Sequence, residues 1–363
     1  MKSLPLDAWH TARGAKMGAF AGYSMPLYYG KPIEEHHTVR RTAGVFDISH
    51  MGQFTLTGAG ALELLRRVLP NDVSALADGD ALYSPLCRED GGVLDDLIVY
   101  RQSGTQWRLI VNGATREKDL AWLLQHAARR EAILEDVSDD HALFAIQGPR
   151  ASALLAPHCL RAPHSLKYYA CAETTCFGIP VFLARTGYTG EPGCEVSVER
   201  CRAAELWERL TGDLGIPPIG LAARDTLRLE AALPLYGHEL REEWNPLECG
   251  LAWTVKLGGP REFIGRASLE RIRAAGPSHA QAGLEITGRG IAREGHRVLH
   301  DGQPVGVVTS GTFSPTLGKA IALAHLEARA ARPGTGLQIE IRGAAVDAIV
   351  VPRPFYRNPA LRA

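Results

Sequence analysis

Hydrophobic and polar positions alternate along this chain in two rhythms, one of period two and one close to 3.6. Ala81–Leu86, the turn-forming Arg88–Gly92 and Val93–Tyr100 read as a hairpin, continued by a strand over 108–111. A helix follows, with Leu120, Leu123, Leu124, Ala127 and Ala128 on one stripe and Glu117 and Asp119 near its electropositive N-terminal end. The same grammar predicts strand 53–57 before helix 60–68, strand 142–147 before a helix opened by Gly148-Pro149, and strands 179–186 and 194–199 before helix 202–212. Beyond about residue 280 helices give way to strand-like runs at 282–287, 296–300, 305–310, 319–326, 336–342 and 345–351, separated by turns such as Asp301-Gly302. The pattern predicts an α+β region, a polar connector and a compact C-terminal β-barrel.

Composition narrows the function classes. The 363 residues are long enough for two or three domains. Forty Lys and Arg balance forty Asp and Glu, which removes the general field that binding to nucleic acid or an anionic membrane would use. No apolar run reaches the roughly 18–20 residues of a membrane span, and the N-terminus lacks secretory or transit character, so a cytoplasmic location is expected. Seven scattered cysteines (87, 159, 171, 176, 194, 201 and 249) without a C-x-x-C suggest reduced, mostly buried thiols and no metal site. The abundant Gly (38) and Pro (22) fall in short turn-like groups, consistent with many strands.

Four places carry candidate chemistry. On a strand, Asp96 shares one face with Leu94, Ile98 and Tyr100, and Asp95 shares the other with Val93, Leu97 and Val99. A carboxylate in such company needs water, a cation, hydrogen-bond donors or a shifted pKa, and the pattern alone does not choose between the two. Arg185-Thr-Gly-Tyr-Thr-Gly-Glu-Pro-Gly-Cys-Glu195 is either a plain hairpin turn or a loop bringing backbone close to a ligand, with Glu195 inside the following strand. Arg224 and Arg228 stand one helical turn apart, a like-charge pair that needs anions, either Asp225 and Glu230 or a ligand. His36-His37, read on a strand and therefore facing opposite ways, and His50 complete no metal set; hydrogen-bonding roles are expected for them. No G-x-S-x-G elbow, Walker loop or strand-linked G-x-G-x-x-G occurs.

Seven motifs in order carry a family resemblance: Met25-Pro-Leu-Tyr-Tyr29, Phe46-Asp-Ile-Ser-His-Met51, Asn71-Asp72, Gly91-Gly-Val-Leu-Asp-Asp-Leu-Ile-Val-Tyr100, Arg185-Thr-Gly-Tyr-Thr-Gly-Glu191, Ala223-Arg-Asp-Thr-Leu-Arg-Leu-Glu-Ala231 and Thr309-Ser-Gly-Thr-Phe-Ser-Pro-Thr-Leu-Gly318. Together they resemble the aminomethyltransferase family, the T-proteins of the glycine cleavage system, from about Leu6 to Arg357. The resemblance implies a three-lobed, ring-like molecule. Residues 1–245 would form two intertwined, ferredoxin-like α+β subdomains that bind folate, 246–279 the connector and 280–363 the barrel. It implies transfer of a methylene carbon from an aminomethyl group on the dihydrolipoyl arm of H-protein to tetrahydrofolate, with the other glycine cleavage components as partners and no nucleic acid, membrane or metal. Asp96 matches the family's catalytic carboxylate. Met51, Tyr83, Ile98, Tyr100, Asn112, Tyr188, Glu195, Arg224, Tyr236 and Arg357 match ligand-facing positions. Ile98 and Tyr23 stand where relatives often carry Val and Trp, and His238 where Gln or Asn is commoner. Two alternatives share the architecture. A folate-binding iron–sulfur-cluster assembly factor would carry a Lys-Gly-Cys loop, which is absent; one-carbon capture from sarcosine or dimethylglycine usually comes with an added flavin region.

Overall fold

A computed structural model of the chain describes residues 1–127 and 131–362. The interlacing of its two α+β lobes starts with one short strand. Gly44–Asp47 leaves the helix Pro32–Arg41 and pairs with His141–Gln147, almost 100 residues later; between them the chain builds a complete five-stranded sheet of its own. That first sheet has the spatial order Ala81–Cys87, Val93–Ser103, Gln106–Val111, Gly52–Thr57, Ile133–Asp136. The second runs Cys171–Cys176, Ile179–Ala184, Gly193–Glu199, His141–Gln147, Gly44–Asp47. A three-stranded sheet formed by Lys2–Ser3, Lys16–Phe20 and Tyr23–Tyr28 lies at the N-terminus.

Each sheet buries one face under helices. Phe54, Leu56, Val99, Trp107 and Leu109 pack beneath Ala61–Val68 and Arg116–Ala127, while Phe144, Ile146, Leu183 and Val196 pack with Leu206 and Trp207 of Ala203–Glu208. Phe46, Leu143, Tyr100, Ile110 and Phe182 form a separate cluster drawn from both sheets, so the lobes share a core. The C-terminal region is a closed six-stranded barrel, in the order His279–Ile286, Lys319–Glu327, Gln303–Ser314, Arg297–His300, Gly336–Ile341, Ala344–Val351.

A buried ion cluster ties the barrel to the second lobe. Glu230, at the end of helix Leu221–Glu230, accepts from Arg40 Nη2 (2.8 Å), the Thr316 amide (3.0 Å) and the Ser314 hydroxyl. Burial would raise this carboxyl, but His36 and the barrel donors hold it down to about 2. The segment read as a connector carries the helix Arg266–Ala275, and Arg261 donates to the carbonyls of Arg66, Leu69 and Pro70 at the end of Ala61–Val68. It is thereby fastened to the first lobe.

The structure corrects four readings. Cys159 and Cys176, expected as thiols, form a disulfide, because they lie opposite each other on an isolated antiparallel bridge that no Cys spacing announces. His36 and His37 sit on the helix Pro32–Arg41, where Pro at the first turn and acidic residues at the N-terminal end favour helix. The helix expected over 202–212 is α-helical only over Ala203–Glu208 and continues as a π-turn over Arg209–Asp213. Finally, the Arg116–Ala127 helix buries Arg116, Asp119, Leu123 and Ala127 and leaves Leu124 exposed. Its inward stripe therefore includes a carboxyl; Ala128 lies outside the described residues.

Candidate functional site

A cavity of about 300 Å³ opens where the two sheets, the helix Leu221–Glu230 and the connector meet. Period two decides which side chains reach it. On Val93–Ser103, Asp96 and Ile98 line the cavity, and Asp95 points to the opposite side, fully buried. Tyr83 pairs across the sheet with Ile98, so its ring extends diagonally and its hydroxyl donates to Asp96 Oδ2 at 2.9 Å. Asn112, just past the Gln106–Val111 strand, uses its Nδ2 to bridge Asp96 Oδ1 and Asp95 Oδ1, at 2.8 Å each. Asp95 also accepts from the Asn112 amide (3.3 Å) and the Thr115 hydroxyl (2.8 Å).

Two neighbouring carboxyls with unequal surroundings divide the charge. Burial, then the Asp95 carboxylate, push Asp96 up to about 7, against the opposing hydrogen bonds from Tyr83 and Asn112. Asp96 is thus placed to give or take a proton near neutral pH.

The opposite wall comes from the second lobe. Glu195 lies on Gly193–Glu199 and accepts from the Thr186 hydroxyl at 2.7 Å; burial raises its carboxyl, with Thr186 and the Arg224 charge pulling the other way. Gly187 belongs to the loop before this strand. A Cβ there would stand 2.0 Å from Gln147 Oε1, and Gln147 is itself bonded to the Thr186 and Cys194 carbonyls. Glycine here lets the loop close over that side chain, and Gly187 also lines the cavity.

The arginine pair separates cleanly. Arg228 is consumed internally, by Asp225 and by Glu239 at 2.8 Å each and by the Ser310 hydroxyl at 2.8 Å. Arg224 lies over the Tyr188 ring, 4.6 Å from its centroid, and its buried Nη1 has no hydrogen-bond partner among the described residues. A buried guanidinium nitrogen facing a cavity without an acceptor is a ready contact for a ligand oxygen. A second hollow of about 580 Å³ shares Tyr188, Arg224, Leu235 and His238 with the first and extends past Arg228 and Arg293 toward the barrel. Its lining is mixed in charge, with Asp225 and Glu294 beside the three arginines.

Of the residues singled out from sequence, Met51, Tyr83, Asp96, Ile98, Asn112, Tyr188, Glu195, Arg224 and Tyr236 come together on the cavity wall. Two do not. Tyr100, one step beyond Ile98 on the same strand face, passes under Phe182 and is fully buried; its hydroxyl meets Thr186 Oγ1 at 3.2 Å, behind Glu195. Arg357 is exposed, outside the cavity lining. His36 makes the expected hydrogen bonds, to the Thr226 and Thr316 hydroxyls at 2.8 Å each. His50 differs, its ring packing edge-on against Phe20 and Tyr23 at the cavity, with Nδ1 unpaired and burial pushing it down to about 3. Among the wall residues not singled out are Tyr169, Leu235 and Trp253. Trp253, in the Ala252–Thr254 turn of the connector, stacks on Tyr83 with ring centroids 6.0 Å apart. No group of three or more His, Cys, Asp or Glu among the described residues could hold a metal ion.

Two interlaced α+β lobes and a C-terminal barrel, with a cavity whose wall holds both a carboxyl poised near neutral pH and a guanidinium with an unpaired nitrogen, define a class of protein built for chemistry on an organic ligand. Comparison with known proteins gives the family. The model described as the GCVT N-terminal domain matches residues 6–259, and that of the glycine cleavage T-protein C-terminal barrel domain matches residues 280–357. The chain is 49% identical to an aminomethyltransferase of Synechococcus elongatus, over 99% of this chain and 97% of that one. It is 44% identical to one of Streptomyces coelicolor, over 99% and 98%. The crystal structure of the glycine cleavage system aminomethyltransferase T from Bartonella henselae superposes with a TM-score of 0.92 at 35% identity, covering 98% of each chain. This chain belongs to the glycine cleavage T-protein family.

Proposed function

We propose that the chain is the tetrahydrofolate-dependent aminomethyltransferase of a glycine cleavage system, acting in the cytoplasm on aminomethylated, lipoyl-bearing H-protein. The observation that carries this reading is the pairing, in one cavity, of the raised Asp96 carboxyl with Glu195 and the unpaired Arg224. A reduced pterin offers N–H donors along one edge, a flat apolar body and an acidic tail. Glu195 is suited to accept from the edge, Met51, Ile98 and Tyr188 to hold the ring faces, and Arg224 to meet a carbonyl or carboxylate oxygen.

In the reaction, the S–CH2–NH2 carbon of the lipoyl arm becomes the bridge between folate N5 and N10. The C–S and C–N bonds break, and two C–N bonds form. The two protons lost from N5 and N10 match those taken up by the thiolate and by the departing nitrogen, so the products are dihydrolipoyl H-protein, ammonia and 5,10-methylenetetrahydrofolate. Positive charge builds on the carbon while it changes partners. An ionised Asp96, held by Tyr83 and Asn112, stabilises that charge and accepts a proton from an attacking nitrogen, effects worth roughly 10²–10⁴ in rate. Trp253, stacked on Tyr83 with its own outer surface exposed, is suited to shield the cavity from water, which would otherwise capture the iminium-like carbon.

The alternative of a non-transferase folate-binding assembly factor is separated by one assay, release of ammonia from aminomethylated H-protein in the presence of tetrahydrofolate. Asp96→Asn is expected to lose at least about 100-fold in turnover while still binding folate. Near-normal turnover in this variant would remove Asp96 from the chemistry.

A further inference from the structure

The Asp95–Asp96 pair has a third member. Asp119, on the inward stripe of the Arg116–Ala127 helix, is 1% exposed, and neither of its carboxyl oxygens receives a hydrogen bond from the described residues. Its contacts are Asp95 and Thr115. The Thr115 hydroxyl has one proton, and its shortest bond sends it to Asp95 Oδ2. Lys118, the adjacent cation, is drawn away to Glu242 and the Tyr236 hydroxyl, at 2.8 Å each. Asp95, by contrast, already accepts from the Asn112 amide, the Asn112 side chain and Thr115.

An ionised carboxylate with no donor, buried against a second carboxylate, is untenable, whereas a carboxylic acid in the same place has an acceptor directly in front of it. One of the pair must hold a proton, and the member without donors is the one that gains by it. We propose that Asp119 is a neutral carboxylic acid whose proton is donated to Asp95, making it a positioning residue that keeps Asp95 charged and so sets the protonation of Asp96 at the cavity. Asn112 transmits the orientation, since its Nδ2 spans Asp95 and Asp96; the charge of Asp95 transmits the electrostatics. Consistently, burial and then Asp95 push Asp119 up to about 10, with Thr115 and Lys118 opposing. The ionisable groups facing the cluster are Asp96 and Tyr83 from the sheet, Lys118 from the helix, and Tyr236 and Glu242 from the loop after Leu221–Glu230.

Two isosteric variants separate this role from simple packing. Asp119→Asn keeps a donor to Asp95 without a titrating proton, and Asp119→Leu keeps the volume without a donor. Infrared spectra of the full chain at pH 8, where Asp96 is mostly ionised, should show a protonated-carboxyl C=O band that persists in Asp96→Asn and disappears in Asp119→Asn. Absence of such a band from the wild type, or its survival in Asp119→Asn, would overturn the proposal. The kinetic arm rests on the aminomethyl-transfer reading above; the infrared arm does not, so failure of the one is distinguishable from failure of the other. With Leu at 119, Asp95 loses a donor that favours its charged form, the pressure on Asp96 falls, and the acid limb of the kcat/KM profile moves down by about one pH unit, while Asn leaves it in place. A limb unmoved by Leu would mean that Asp119 does not act through Asp95.

Discussion

Replacing Asp96 by Asn should stabilise the protein relative to the wild type increasingly as the pH rises, even as it removes activity. The wild-type carboxyl titrates near 7 in the folded chain and near its ordinary 3.8 when unfolded. Between these two values the folded state binds the extra proton, so stability falls with rising pH across that window, is unpenalised below about pH 4 and carries its full deficit above about pH 7. From pH 5 to pH 8 the wild type crosses two units of this window, at about 1.4 kcal/mol per unit, so it should lose about 3 kcal/mol relative to Asp96→Asn. At pH 5 the variant also loses one of the paired hydrogen bonds from Tyr83 and Asn112, a cost of about 1 kcal/mol that does not depend on pH. The assay is urea denaturation of both proteins at pH 5, 6, 7 and 8, with the difference in unfolding free energy plotted against pH. A difference that stays flat across this range would refute the assignment of a raised pKa to Asp96 and with it the electrostatic account of the site.

Other consequences are more local. Glu195→Ala should weaken tetrahydrofolate binding by about 10- to 100-fold in calorimetry, the equivalent of one or two charge-assisted hydrogen bonds, and unchanged affinity would free Glu195 of a ligand role. Trp253→Ala opens the stack over Tyr83, and is expected to lower turnover several-fold while raising the fraction of the aminomethyl carbon lost to water as formaldehyde; coupling equal to the wild type's would contradict a water-excluding role.

Much of this architecture was legible because period sets direction. The alternation over Val93–Tyr100 places Asp95 and Asp96 on opposite sides of a sheet whatever the rest of the chain does, and the six C-terminal runs became the six barrel strands. What the alternation could not supply was the neighbour across space. Tyr100 shares a face with Asp96, but Phe182 and Thr186 of the other lobe close over it. Arg228 and Arg224 look equivalent on a helix until Glu239 and Ser310, remote elements both, take one and leave the other. The same holds for the Cys159–Cys176 disulfide, which depends on an isolated bridge. Asp119 misled for a different reason. An acidic residue in a first helical turn already has a sufficient explanation in the helix dipole, and only the packing of the helix on the sheet turns it inward toward Asp95.

The central claim, that Asp96 drives transfer of a methylene carbon from a lipoyl arm to folate, is tested most directly by mixing the purified chain with aminomethylated H-protein and tetrahydrofolate and following ammonia and 5,10-methylenetetrahydrofolate together. The account predicts equal amounts of both from the wild type, dependent on folate, and a loss of at least about 100-fold with Asp96→Asn at undiminished folate binding. Folate binding without release of ammonia by the wild type would contradict it.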